Sequence, residues 1–153
     1  MTRKTLRFVA QPRGGIYRCL LQSAVEQASS AYLVVRESVE LSAGARDCLL
    51  RLEPYLMSEQ TVSEWPGTKL LGGQAQKLVY RSSALLVRVF EACTDGLYDW
   101  IQPDLPEDLG FLREDGSVWL GSTAHEADAW LELEPAELTR LLAICPEITR
   151  ITE

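Results

Sequence analysis

Histidine occurs once in this chain, at position 125, and only four cysteines are present, Cys19, Cys48, Cys93 and Cys145. A histidine-rich metal site is therefore excluded. His125-Glu126 also lacks the second histidine, four positions on, that makes H-E-x-x-H a zinc motif. The cysteines show no C-x-x-C spacing and each falls among apolar residues at helical intervals, which predicts reduced core thiols and neither zinc ligands nor a disulfide frame. No G-x-S-x-G elbow surrounds Ser122 or any other serine. The glycines of LLGG, residues 70–73, lack both the Lys-Ser/Thr of a phosphate loop and the third glycine of a dinucleotide turn. No run of about 18 apolar residues exists to span a membrane, and the basic opening MTRKTLRFVAQPRGG has too short an apolar stretch for a signal peptide. A cytoplasmic setting is expected, with no cofactor, no metal and no catalytic residue assigned.

What is present is an uneven distribution of charge. Residues 1–93 carry 12 Lys or Arg against 8 Asp or Glu, a balance of +4, whereas residues 94–153 carry 3 against 14, a balance of −11. Phosphate backbones demand the opposite sign, so the acidic portion disfavours nucleic acid and suits a basic protein partner. At 153 residues the chain is expected to form one domain, residues 1–153, with no internal repeat and no linker.

Periodicity predicts an α+β fold. Leu6, Phe8 and Ala10 alternate in a first strand that Pro12 and Gly14-Gly15 end. Ile16, Leu20, Leu21, Ala24, Val25 and Ala28 form one helical stripe, and AYLVVRE reads as a strand. Ser42 caps a second helix with Ala45, Cys48, Leu49, Leu52 and Leu56 inward, disturbed at its end by Pro54. Residues 57–75 have no sustained period and are the longest irregular segment, with Val62, Trp65, Leu70 and Leu71 able to tuck it against the core. QKLVYR then reads as a strand, and SSALLVRVFEAC as a helix with Leu85, Leu86, Val89, Phe90 and Cys93 inward, ended by Gly96 in the left-handed conformation. Asp115-Gly116 predicts a two-residue type I′ hairpin that pairs Arg113 with Val118, Leu112 with Trp119 and Phe111 with Leu120. DAWLELE returns as the third strand of a C-terminal meander, and Pro135 opens a last helix lined by Leu138, Leu141, Leu142 and Cys145. The whole is a mainly antiparallel sheet packed against about four helices.

Alternation along residues 128–134 places Ala129, Leu131 and Leu133 on one side and Asp128, Trp130, Glu132 and Glu134 on the other, an acidic ladder holding a tryptophan. Exposed tryptophan beside carboxylates is a partner-facing pattern, since the ring buries apolar area while the charges pair with Lys or Arg. The preceding segment GLYDWIQPDLPEDLGF adds Asp104, Glu107 and Asp108, with Pro103 and Pro106 holding it extended. Trp65 is a further candidate contact within the irregular segment. His125 is expected to close the turn between two strands by hydrogen bonding to backbone or to Glu126.

SEWPGT, LLGG, LYDW, LPEDLGFLREDGSVWL and AHEADAWLEL, in that order over about residues 31–144, resemble a family of small bacterial proteins for which no activity is established. The resemblance supplies no catalytic residues. In size, acidity and lack of a catalytic signature the chain is also similar in style to immunity proteins that neutralise antibacterial toxins. Together these features lead to the expectation of a non-enzymatic protein-binding module, an immunity-type inhibitor that meets a toxin domain with an acidic surface. The alternatives are a small enzyme using His125 and Glu126, or a regulatory or scaffolding protein.

Overall fold

Seven strands pair into one antiparallel sheet, and four helices cover one of its faces. The structure, a computed structural model, describes residues 2–153. In chain order the elements are β1 (Lys4–Arg7), α1 (Gly15–Gln27), β2 (Ser30–Arg36), α2 (Ala43–Leu52), β3 (Leu56–Val62), β4 (Glu64–Trp65), β5 (Thr68–Lys69), β6 (Ala75–Arg81), α3 (Ala84–Cys93), β7 (Glu107–Leu112), β8 (Val118–Thr123), β9 (Asp128–Leu133) and α4 (Pro135–Ile144). The sheet runs β1-β9-β8-β7-β2-β6-β3, while β4 and β5 form a separate two-stranded ribbon. The α+β expectation holds, including the meander β7-β8-β9.

Alternation along each strand divides the sheet into two faces. Leu6, Ala31, Leu33, Leu78, Phe111 and Leu131 face the helices, where they meet Tyr17, Leu20 and Leu21 of α1, Leu86 and Phe90 of α3 and Leu141 of α4. Trp100, fully buried, stands edge-on to Phe90 and donates its indole N–H to the Tyr17 hydroxyl at 3.2 Å. The segment before β7 is thus tied into the core instead of lying extended on the surface. Ser42 and Ser83 cap α2 and α3 by accepting from Ala45 N and Leu86 N, each at 3.1 Å, which satisfies donors that a helix start leaves unpaired. Glu134 and Glu137 make a reciprocal capping box at the start of α4, with Pro135 where a missing N–H costs nothing.

Several local expectations are corrected. Residues 57–75 are ordered as edge strand β3 and the β4-β5 ribbon, which a period search over a long window does not detect because the ribbon's strands are two residues each. Val62, Trp65 and Leu70 do pack inward, but Leu71 is fully exposed. In α3 Leu86, Val87 and Phe90 are buried and Val89 and Cys93 pack against the core beside them, whereas Leu85 points to solvent. Gly96 has φ −148°, so it is no left-handed cap, and the helix already ends at Cys93 with an extended Thr94. Cys48 and Cys145 are buried, whereas Cys19 and Cys93 are only half-buried. Pro54 sits in a 3-10 turn, Glu53–Tyr55, that turns the chain out of α2 into β3, which carries Leu56 off the helix.

The hairpin between β7 and β8 also differs from a type I′ turn. Gly116 N donates to Arg113 O at 2.9 Å and Arg113 N to Ser117 O at 2.8 Å, which leaves a three-residue loop with Gly116 alone at positive φ, +85°. Asp115 stays at negative φ and accepts from Ser117 N and Oγ, holding the loop from within. Phe111 pairs with Leu120 as expected, but Leu112 pairs with Val118 because Trp119 is the extra residue of a bulge. The bulge sends Trp119 and Leu120 to the same, helix-facing side. Arg113, freed from a strand pair with Val118, places its guanidinium inside, donating to Glu137 of α4, to Val118 O and to Glu132 O. Burial works against the Glu137 carboxylate, but its hydrogen bonds with Arg113 hold its pKa below the usual range.

This turn makes a comparative prediction. Gly116→Val forces a β-branched residue into the left-handed region and is expected to cost about 1–3 kcal/mol, whereas Ser117→Val loses an exposed hydrogen bond to Asp115 and a long one from Arg113, about 1 kcal/mol or less. Chemical denaturation of the two variants checks it; equal midpoints would disprove the turn geometry.

Candidate functional site

The sheet face away from the helices carries most of the sequence-predicted residues, and the ribbon divides them into a covered and an open group. Tyr32 and Val34 of β2, Leu112 of β7 and Ala75 of β6 form a second small core under Trp65 of the ribbon. Trp65 donates its indole N–H to Asp108 Oδ2 at 2.8 Å, and Ala124 N donates to Asp108 Oδ1 at 2.9 Å. Arg36 stacks its guanidinium over the Trp65 ring, 5.2 Å from the centroid, and pairs through Nε with Glu107.

Asp108 sits at φ +58°, a conformation that Asp tolerates better than most residues. Its own N–H leaves the sheet to reach Trp100 O at 3.1 Å, and the β2-β7 register shifts at this point. The result is a fully buried carboxylate aimed between the ribbon and the turn after β8. Burial pushes its pKa up, against the opposing hydrogen bonds from Trp65 and Ala124. Glu107 is raised for the same reason, with Arg36 opposing.

Trp65, Glu107 and Asp108 are therefore corrected from surface contacts to interior ones. Each carboxylate oxygen of Asp108 accepts a protein donor, so the cluster anchors the ribbon and offers no face to a docking protein. Asp104 is exposed but lies elsewhere, beside Gly44 of α2 and Tyr98. Asp128, Trp130 and Glu132 remain together on the open end of the face, with Glu134 at its border in the α4 cap.

Trp130 is the centre of this open group and is half-buried. Its ring lies on Gly121 of β8, across the β8-β9 pair, and against Gly67 of the ribbon; a Cβ on either glycine would collide with it. Its Nε1 donates to Glu132 at 3.2 Å, and the Arg7 guanidinium stands 5.9 Å from the ring centroid while pairing with Asp128 at 3.2 Å. Arg7 was not anticipated from sequence, although Arg7 and Trp130 are direct partners in the β1-β9 register. Neither were the glycines, whose positions acquire meaning only once strand neighbours are known.

Much of the acidic charge of the last part is answered from within the chain. Arg3 reaches Glu134 at 3.5 Å and Asp115 at 3.8 Å, Arg7 reaches Asp128, Arg13 reaches Asp99 at 2.7 Å, Arg18 reaches Asp95 at 2.8 Å, and Arg36 reaches Glu107. All five arginines come from the basic first part and all their partners from the acidic last part. Glu114 and Glu126 stay exposed without an arginine among the described residues.

His125 lies in the 3-10 turn Ala124–Glu126. Its Nε2 is 4.0 Å from Glu126, too long for a hydrogen bond. The turn is closed instead by Ala127 N donating to Ala124 O at 3.0 Å, with Ala127 at φ +51°. Of the hydroxyls before it, Ser122 is buried and donates to Leu109 O at 2.6 Å.

No protein-family model, no curated protein and no solved structure matches this chain. Among the described residues no helix is long and apolar enough to cross a membrane.

The raised pKa of Asp108 predicts a pH dependence of definite sign. Because the folded state holds this proton more tightly than the unfolded chain, the stabilising contribution is present below the ordinary carboxylate pKa and is lost as pH rises through the folded value. The stability of the wild type minus that of Asp108→Asn should accordingly fall as pH increases from about 4. Denaturant titrations of both proteins across that range measure the difference, and a constant or rising one would contradict the burial assigned to the carboxylate.

Proposed function

We propose that the protein is a non-enzymatic binding module that captures a basic protein partner at the open end of the sheet face, in the manner of an immunity-type inhibitor bound to a toxin domain. The observation that carries this reading is the half-buried Trp130, clamped by Gly121, Gly67, Arg7 and Glu132 among carboxylates. An aromatic side chain already held in one orientation loses little conformational entropy on docking and presents a rigid apolar surface. Asp128 and Glu132 beside it, Glu134 at the border of the face and exposed Glu126 in the turn before β9 give this end of the sheet a negative potential, which accelerates encounter with a cationic surface. Arg3 and Arg7 moderate that potential, so the module relies on the tryptophan for affinity and on its acids for rate and orientation. The cytoplasmic setting expected from sequence belongs to the same proposal.

A partner identified by pull-down and then purified allows a kinetic test. Trp130→Ala should chiefly speed dissociation, with a loss of about 2 kcal/mol or more. Glu126→Lys leaves the fold intact and should slow association, and wild-type binding should weaken as salt rises. Salt-independent binding that survives both substitutions would place the interface elsewhere. Glu134 is unsuitable for such a test because it caps α4, and its reversal costs about 0.5–2 kcal/mol of stability.

The enzyme reading makes a different demand on His125. His125→Ala removes a half-exposed side chain with one 4.0 Å contact and should shift stability by no more than about 0.5 kcal/mol. It should also leave partner affinity and biological protection unchanged, measured by the same binding assay and by survival under toxin exposure. A folded, partner-binding His125→Ala protein that has lost its biological activity would favour catalysis.

A further inference from the structure

Four cysteines dispersed in sequence meet as two pairs across helix contacts. Cys19 of α1 lies by Cys145 at the end of α4, and Cys48 of α2 lies by Cys93 at the end of α3. In the first pair Cys145 is fully buried and the Cys19 thiol donates to Ile144 O at 3.2 Å. The second pair is more open. Its sulfurs are 2.7 Å apart, and a crevice of about 150 Å³ between the helices is lined by Gly44, Asp47, Cys48, Arg51, Ala92 and Cys93. Cys93 also stands in the wall of an adjoining crevice of about 580 Å³, together with Gly44, Tyr98, Asp99 and Asp104, whereas Cys48 does not.

We propose that Cys48 and Cys93 form a thiol–disulfide exchange site for small uncharged disulfides, in which Cys93 attacks and Cys48 resolves. The division of roles follows from access. Cys93 is half-buried and lines the wide crevice, while Cys48 is buried, lines only the smaller one and has its sulfur against that of Cys93, where a second attack requires it. The preference for an uncharged reagent follows from the walls. Arg51 is paired with Asp47 and Asp99 with Arg13, so neither pair holds a free charge for an ionic disulfide, and Asp104 repels anions.

The chemistry balances with the disulfide R–S–S–R as oxidant. The Cys93 sulfur, having lost its proton, attacks one sulfur of R–S–S–R; the S–S bond breaks and the departing thiolate takes up a proton to become R–SH. Cys48 then loses its proton and attacks Cys93 Sγ of the mixed disulfide, expelling the second thiolate, which becomes another R–SH. Two protein thiols are oxidised to one disulfide, and one small disulfide is reduced to two thiols. From 2.7 Å the sulfurs must close by only about 0.7 Å to reach a bonded length. The hydrogen bond between the thiols favours the thiolate at Cys93, lowering its pKa, and with burial raises that of Cys48, which suits the order of attack.

The test treats folded wild-type protein with bis(2-hydroxyethyl) disulfide, blocks the remaining thiols by alkylation and maps peptides by mass spectrometry. The expected product has lost two of its four thiols, joins the Cys48 and Cys93 peptides, melts at a higher temperature and reverts with dithiothreitol. Cys48→Ser should instead accumulate the mixed disulfide on Cys93, and Cys93→Ser should leave Cys48 unmodified while folded. Four persistent thiols, a stable adduct on wild-type Cys93, or oxidation of Cys19 and Cys145 at an equal rate would overturn the proposal. Should Cys48→Ser fail to fold, the wild-type map still decides whether the pair exchanges, and Cys93→Ser, by leaving Cys48 unmodified or not, decides the order of attack.

Discussion

The Asp108 carboxylate is the constraint from which the open face takes its form. A fully buried anion must be satisfied by donors, and here both oxygens are: Trp65 brings the ribbon down onto the sheet, and Ala124 fixes the turn between β8 and β9. The positive φ that aims the side chain also interrupts the β2-β7 ladder, so its formation depends on Trp100 accepting the displaced N–H. Trp100 is in turn held by Phe90 and Tyr17 in the helix-side core. One buried carboxylate thus links the two faces of the sheet. Burial raises its pKa, with the hydrogen bonds from Trp65 and Ala124 opposing that rise.

Charge complementarity operates along the chain before it operates between proteins. A sequence with +4 in its first 93 residues and −11 in the remainder looks poised to attract a cation. Folding pairs Arg3, Arg7, Arg13, Arg18 and Arg36 with carboxylates of the last sixty residues, so part of that asymmetry is used to bring β1, α1 and β2 against the C-terminal half. The exposed pairs of Arg3, Arg7, Arg13 and Arg18 are individually weak, about 0–1 kcal/mol, yet each disfavours alternative placements of β1 and α1 that would leave its carboxylate unanswered. For the partner proposed above, what remains is the acidic remnant beside Trp130, and a local surface of this kind gives orientation more than strength.

Long, periodic elements were legible in the sequence because their physics is local. The α1 stripe, the Ser42 cap, the alternation of Ala129, Leu131 and Leu133 and the proline opening α4 each depend on neighbours within a few positions. Features set by contacts distant in sequence were not. Trp65 and Asp108 are 43 residues apart, and nothing near either signals that one will donate to the other. The turn at Gly116 was placed correctly but counted one residue short, since a left-handed glycine serves both a two-residue turn and a three-residue turn with a bulge, and Trp119 shows which only when its packing against Phe111 and Gln27 is known. Of the candidate site, the Asp128-Trp130-Glu132 face was readable by period; the burial of Glu107, Asp108 and Trp65 was not, because a carboxylate is expected outside unless its donors are visible.

Glycine placement explains why Trp130 is fixed and not merely exposed. On a pleated sheet a ring normally stands off its neighbours at the height of their Cβ atoms, but at Gly121 it drops onto the backbone, and Gly67 lets the ribbon close over its far edge. Gly67 holds φ +86° at the turn between β4 and β5, so the residue that gives the ribbon its reversal is also the one that touches the ring. The ribbon is anchored by Trp65 to Asp108, two residues earlier. The orientation of a surface tryptophan therefore traces back through a two-stranded ribbon to a carboxylate inside the protein. Perturbing that carboxylate would loosen the clamp without touching the surface, which links the stability of the interior to the pre-organisation on which the proposed docking depends.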